Sequence, residues 1–393
     1  MKDLLLPIKR FHGSLYEALC MRYSWMESIM IQSRGLRLSR KKKAKSTGEK
    51  SSESAPIDFV ITWVDGSDPK WLEEKNQYLK QSEDENTRTD NGEARYRDWG
   101  ILPYWFRAVE KYAPWVQNIY FITYGHLPDW LKQDAPKLKI VKHEDFIPKK
   151  YLPTFNSTPI ELNIHRIQEL SEHFVYFNDD VFLCSPVKPS DFFRGGEPNL
   201  TAIAEPLRVW NNNEFEHKRF VTVGVVNNYF GWGIKKTIRK NPEKWFLDEY
   251  GEKRQYNRLS YEAGILLGMI FPHVGVPFRK STMGKVWEAI PDVMDSTCYF
   301  RFRNPKEVIH QVFTLWEMAE GSFNAVGPKH HGKVFTRPQK QYADIMKALL
   351  SKEYKMICIN DSPDVSHEDY LSCKERIVEA FQIAFPEKSS FEK

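Results

Sequence analysis

Residues 57–69 read IDFVITWVDGSDP. The first eight are β-branched and aromatic almost throughout, and they run into Asp65-Gly66, a turn pair, and then Asp68-Pro69, a pair that opens helices. A short run that is apolar on both faces is a strand covered on both sides, the kind found in parallel sheets. The type recurs at 118–123 (NIYFIT), 138–141 and 174–177 (FVYF), with helical periodicity between, at about 71–81, 102–112, 128–133 and 160–172. This alternation predicts an α/β fold with a mostly parallel sheet covered by helices, in which ligands sit beyond the carboxyl ends of the strands. After residue 191 the pattern loosens into loops, an apolar helix near 260–271 and another near 305–320.

Ahead of this body lies an arm of different composition. Tyr16, Leu19, Cys20, Tyr23, Met26 and Met30 recur at helical spacing, and residues 34–45 then hold seven Lys/Arg in twelve. Two readings stay open: an interfacial anchor on the anionic inner membrane surface, or a helix packed on the body with a solvated basic end. Residues 45–55 (KSTGEKSSESA) have linker composition. The expected organisation is a basic amphipathic arm (1–45), a flexible linker (46–55), a catalytic domain (56–361) and a C-terminal helical tail (362–393).

The 393 residues carry a formal charge of +5, but residues 1–55 alone carry +7, so the body is slightly acidic and a nucleic-acid-binding function is excluded. An aromatic content of 14% is compatible with ring-lined grooves for sugars or bases, though most such rings fill cores. The five cysteines form no C-x-x-C pair, which points to a reduced, cytosolic interior without disulfides or zinc. No apolar run approaches the length of a membrane span, since 263–271 is interrupted by Gly264 and Gly268, and no signal sequence is evident. A cytoplasmic protein, peripheral at the cytoplasmic membrane, is expected.

The chemistry-bearing segments follow the strands. Asp65-Gly66 leaves the first strand, although Asp68 can be no more than the cap of the next helix. Asn178-Asp179-Asp180 leaves the strand at 174–177, and adjacent acids there supply hard oxygen ligands for Mg²⁺ or Mn²⁺, the ion that neutralises a pyrophosphate. In 154–166 (TFNSTPIELNIHR), Ser157 or Thr158 can cap a helix that carries Glu161 and His165 four apart on one face. That spacing fits a surface ion pair, or a carboxylate and an imidazole aimed into the cleft of Asp179 and Asp180. His273 to Lys280 and Arg301-Phe302-Arg303 add cations suited to phosphate oxygens.

Together these segments resemble the Stealth family of sugar-phosphate transferases. Residues 57–69 are similar to its first conserved region, and Arg95 to Asp98 (RYRD), 112–120 (YAPWVQNIY) and 154–181 to its second. His273-x-x-x-Pro277-x-x-Lys280 with Arg301-Phe302-Arg303 resembles the third, and Cys358-Ile359-Asn360-Asp361 the short fourth. Gly100-Ile101-Leu102 departs from a Glu-Leu pair common in relatives, and Tyr124-Gly125-His126 departs from a smaller or acidic residue before the glycine.

The resemblance implies a nucleotide-sugar transferase-like fold and an enzyme that moves a hexose-1-phosphate from a nucleotide-diphosphate sugar, UDP-linked, to a hydroxyl of a glycan or lipid-linked glycan, releasing a nucleoside monophosphate. Glu161, Asp180, His273 and Arg303 match the family's catalytic positions, and Asp179 with Asp180 would hold the metal. Asp65, Gly66, Arg95, Arg97 and Asn156 are assigned to substrate binding, as are His165, Lys280, Arg301, Asn360 and Asp361. His273 or Glu161 would take the proton from the acceptor hydroxyl. Two other functions use the same residues: a metal-dependent glycosyltransferase that releases UDP, and a non-catalytic glycan-binding protein.

Overall fold

In the computed structural model of the chain, which describes residues 5–45, 55–81, 96–208, 213–328, 332–361 and 366–393, the strand read first is the central one. β1 (Ile57–Trp63) pairs in parallel with β2 (Ile119–Thr123) on one side and β4 (His173–Phe177) on the other. β3 (Leu138–Lys142) continues the parallel set beyond β2. The two-faced burial of β1 divides its residues by the period-2 rule. Phe59 and Ile61 enter a core with Trp105, Phe106 and Phe121, whereas Val60 enters another with Tyr120, Phe174 and Trp316.

Past β4 the chain enters β5 (Val181–Leu183), then a small sheet built from β6 (Phe193–Arg194), β7 (Glu197–Leu200) and β9 (Asn324–Ala325). β8 (Val276–Arg279) closes the main sheet antiparallel to β4, giving the order β3-β2-β1-β4-β8. β10 (Lys333–Phe335) and β11 (Met356–Ile359) join β5 in a third sheet of order β10-β11-β5. The fold is α/β with a mostly parallel central sheet.

Several helices differ from expectation for local reasons. Residues 128–133 form turns, because their backbone pairs with the C-terminus: Lys132 N–H donates to Phe391 O and Lys393 N–H to Trp130 O. The helix expected over 160–172 is Ser157–Asn163, followed by a single 3₁₀ turn, Ile164–Arg166. The apolar helix expected near 260–271 ends at Ala263, where Gly264 takes a left-handed conformation (φ 73°) and caps it. The helix near 305–320 begins only at Gln311.

The arm is one helix, Leu5–Lys45, which packs along the body. Ser28, Ile31 and Gly35 face inward, and a Cβ on Gly35 would lie 2.4 Å from the Pro242 carbonyl oxygen, so glycine permits the close approach. Arg40 bonds Asp248 and Lys42 bonds Glu243. Tyr23, Trp25, Met26 and Met30 point outward, more than half exposed. Tyr16, Leu19 and Cys20 lie outside the described side chains. No described helix is long and apolar enough to cross a membrane.

The last helix, His367–Ala384, is no separate tail. Tyr370, Cys373, Ile377, Ala380 and Phe381 belong to the core beneath β1, and the Phe381 ring lies 4.7 Å from that of Phe182. Phe381→Ala should therefore cost about 3–5 kcal/mol of stability in urea unfolding, the usual penalty for emptying a buried ring site. A loss below about 1 kcal/mol, within the range of ordinary surface substitutions, would mark the helix as an appendage.

Candidate active site

The turn after β4 carries the acid pair. Val181 N–H donates to Asn178 O, so Asn178-Asp179-Asp180 reverses tightly into β5, and Ile359 N–H of β11 donates to Asp180 O at 2.8 Å. One Asp180 oxygen, Oδ2, lies 3.3 Å from the Cys358 thiol and 3.4 Å from His273 Nε2. The other, Oδ1, is buried without a hydrogen-bond partner among the described residues. Asp179 is exposed at the turn, yet desolvation by the protein around it first, and then the neighbouring Asp180 and Asp98 carboxylates, push its carboxyl up to about 7. Burial alone would lower the His273 ring, but the Asp180 carboxylate more than offsets it and raises it. Burial and then Asp180 push the Cys358 thiol far up, keeping it protonated as a donor.

A second carboxylate approaches from the helix Ser157–Asn163. Glu161 is buried, with Oε2 2.7 Å from His310 Nδ1 and Oε1 3.2 Å from the Tyr176 hydroxyl. Burial would raise this carboxyl, but the His310 ring, and further off Arg303, hold it well below the ordinary range. Tyr176 closes the circuit, its hydroxyl 2.7 Å from Asn178 Oδ1 and 3.0 Å from Thr62 Oγ1, while Asn178 Nδ2 lies 3.1 Å from His273 Nε2. His310, Glu161, Tyr176, Asn178, His273 and Asp180 are thus consecutive in one polar chain.

Arg303 is carried by a loop fixed from beneath. Asn156 accepts from Thr158 N–H as helix cap and donates through Nδ2 to Phe300 O, Phe302 O and Glu307 Oε1. Glu307 is fully buried and also receives the Thr158 hydroxyl, Asn304 N–H and the Lys218 ammonium at 3.1 Å. Asn156 therefore positions rather than contacts.

The remaining expected residues divide. Asn360 and Asp361 follow β11 and so lie beside Asp180, and Arg97 Nη1 is 3.8 Å from Asp361 Oδ2. Asp65 Oδ1 receives Ser67 N–H and hydroxyl, and Asp65 N–H donates to His126 Nε2 at 2.7 Å. His126, one of the departures noted above, thus latches the loop that leaves β1. Gly66 admits no side chain, because a Cβ would meet Tyr96 O at 2.3 Å. Asp68 caps the helix Pro69–Gln81 through Trp71 N–H.

Three expected residues are not brought to the cluster. His165 follows the end of the α-helix, so the four-residue spacing from Glu161 is broken, and its ring packs near Trp287, where burial lowers it to about 4. Lys280 donates to Ile167 O, Gln168 O and Leu170 O, and it follows Arg279, which pairs with His173 at the opposite end of β4 from the acid pair. Arg301 donates to Pro153 O and covers the Tyr78 ring. Arg95 lies outside the described residues. Sequence reasoning missed His310, whose partner is 149 residues away, and Tyr176, whose hydroxyl is hidden within an apolar strand.

Residues 55–83 match Stealth protein conserved region 1 and residues 95–200 match conserved region 2. A capsular polysaccharide phosphotransferase of Streptococcus pneumoniae is 43% identical over 338 residues, 86% of this chain and 99% of that protein. A receptor polysaccharide phosphotransferase of Streptococcus gordonii is 38% identical over 86% of this chain and 98% of its own, and an exopolysaccharide phosphotransferase of Lactiplantibacillus plantarum is 36% identical over 86% and 96%. A galactosyltransferase solved with donor and acceptor sugar analogues aligns over 83% of this chain and 95% of its own at 11% identity and a TM-score of 0.37, too low to bear on the argument. The chain belongs to the Stealth family, and it is a phosphotransferase.

The Lys218–Glu307 pair yields a stability test. Lys218→Met strands a buried carboxylate and should cost about 3–5 kcal/mol in urea unfolding. Adding Glu307→Gln should recover part of it, giving a double-mutant coupling above about 1 kcal/mol; additive losses would deny that the pair acts as a unit.

Proposed function

We propose that this chain transfers a hexose-1-phosphate from a UDP-linked sugar to a hydroxyl of a glycan or lipid-linked glycan in bacterial surface polysaccharide synthesis, forming a phosphodiester and releasing UMP. The observation that carries this reading is the gathering of His273 and, through Tyr176, Glu161 about the Asp179-Asp180 turn at the carboxyl end of β4, with Asn360 beside it. The polysaccharide phosphotransferases to which the chain is similar supply the acceptor class.

In-line displacement at the phosphorus nearest the sugar asks the protein for positioning and for positive charge around the phosphoryl oxygens. Arg303, near enough to Glu161 to lower it, would meet those oxygens, and His273 approaches from beside Asp180. Asp65, Gly66 and Arg97 with Asp361 border the donor where the parallel strands end. The partnerless Asp180 Oδ1 beside a second carboxylate fits Mg²⁺ or Mn²⁺, which Asp179 and Asp180 would hold and which would neutralise pyrophosphate charge. Lys280 and Arg301 are committed to carbonyl oxygens and are given no phosphate.

Asp180→Asn should lower kcat about a hundredfold, roughly 3 kcal/mol, and abolish saturable Mn²⁺ binding followed by electron paramagnetic resonance. Unchanged Mn²⁺ binding with full activity after chelation would remove the metal from this site. Phosphorus NMR of the product and chromatography of the nucleotide test the bond broken. A phosphodiester with released UMP is expected, whereas UDP with a phosphorus-free product would make the chain a conventional glycosyltransferase.

The arm supports a peripheral location on the cytoplasmic face of the membrane. Its inner face is committed to the body, while Tyr23, Trp25, Met26 and Met30 stand outward on the helix that also carries the basic run. Replacing Tyr23, Met26 and Met30 by Ser should leave melting unchanged but remove binding to phosphatidylglycerol vesicles, and wild-type binding should weaken as salt rises. Equal binding by both proteins would leave the helix as packing alone.

A further inference from the structure

Resting on the transfer reaction just described, we propose that His310 is the group that takes the proton from the acceptor hydroxyl, and that Glu161 positions it. Glu161 cannot take that proton itself: only 7% of its side chain is exposed, and its two oxygens face His310 Nδ1 and the Tyr176 hydroxyl. A carboxylate at 2.7 Å from Nδ1 fixes the proton of the neutral ring on that nitrogen and leaves the lone pair on Nε2. Nε2 makes no hydrogen bond among the described residues, and 19% of the His310 side chain is open to solvent.

The ring is also held in place. It stands edge-on to Tyr176 and Phe278, with centroids 5.8 Å and 6.0 Å away, and immediately precedes the buried helix Gln311–Glu320. Its partner Glu161 reaches the acid-pair turn through two side chains, Tyr176 and Asn178, so base and phosphoryl site belong to one rigid network. His273, by contrast, directs Nε2 at Asn178 and Asp180, on the phosphate side of the cleft. A buried carboxylate behind an imidazole with a free nitrogen is the arrangement that activates hydroxyl groups elsewhere in enzymology.

The step balances. The acceptor O–H proton passes to His310 Nε2 as the hydroxyl oxygen bonds to the phosphorus attached to the sugar. The bond from that phosphorus to the bridging oxygen breaks, and its electron pair leaves with the nucleoside monophosphate. The imidazolium returns its proton to water when the product departs, and Glu161 stays ionised throughout.

The test uses the full chain with UDP-hexoses and methyl β-galactoside as acceptor, alongside ring-nitrogen NMR, which needs no substrate. His310→Ala should lower kcat by roughly 10²–10⁴-fold while the donor KM changes by less than about threefold, and added imidazole should restore part of the loss. His310→Gln, which keeps a donor for Glu161 but has no basic nitrogen, should melt like the wild type and stay inactive. NMR should show the neutral ring protonated at Nδ1 in the wild type and lose that preference in Glu161→Gln. Turnover by His310→Gln within about threefold of wild type, or a ring protonated at Nε2, would overturn the assignment. Release of UDP by the wild type would overturn the phosphotransfer reading alone, because an acceptor hydroxyl must lose its proton in either reaction.

Discussion

The site depends on a single reversal of the chain. Asn178, Asp179 and Asp180 end a strand of the main sheet and begin a strand of the third, so the turn is held by two ladders at once: β4 behind it and β11 beside it, through the Ile359 N–H bond to Asp180 O. The two acids are neighbours on that reversal, and the Asp180 carboxylate is one of the causes that raise Asp179.

The acids around that turn are driven in opposite directions by their surroundings. Asp179, desolvated beside like charges although its side chain reaches solvent, is raised, while the buried Glu161 is lowered because an imidazole and, further off, a guanidinium face it. The same kind of group is thereby pushed toward its neutral form at one point and held as an anion at another. Tyr176 separates the two without isolating them, its hydroxyl touching Asn178 on one side and Glu161 on the other.

What could be read from sequence was what short-range chemistry determines. The strand at 57–63, its exit turn and the acid pair after 177 are each written in consecutive residues, whereas the helix that bears Glu161 is capped by Asn156 and not by the expected Ser157 or Thr158. Direction and distance were not legible. Lys280 is a cation close in sequence to His273, yet the pairing of Arg279 with His173 puts it at the far end of the sheet. His165 has helical spacing from Glu161, but the α-helix stops at Asn163. The true partner of Glu161 is His310, and no local pattern marks it, because the contact exists only after the chain has returned across the core. Along the arm the apolar spacing was visible, but only tertiary packing shows that small inward residues seat the helix while the larger rings face out.

The buried Glu307, joined to Asn156 and Thr158 across 151 and 149 residues, has a consequence during synthesis. β1 to β4 can pair as they emerge, but the acid turn is not braced until Ile359 of β11 has been made, nor the loop that bears Arg303 until Glu307 has. At about 5–20 residues per second, that interval lasts on the order of 10 s. Throughout it the nascent chain holds most of the parallel sheet without the strand and the loop that complete the polar cluster. A ribosome-bound fragment therefore carries the sheet without the finished cluster, which is complete only when the last part of the chain has closed over the first.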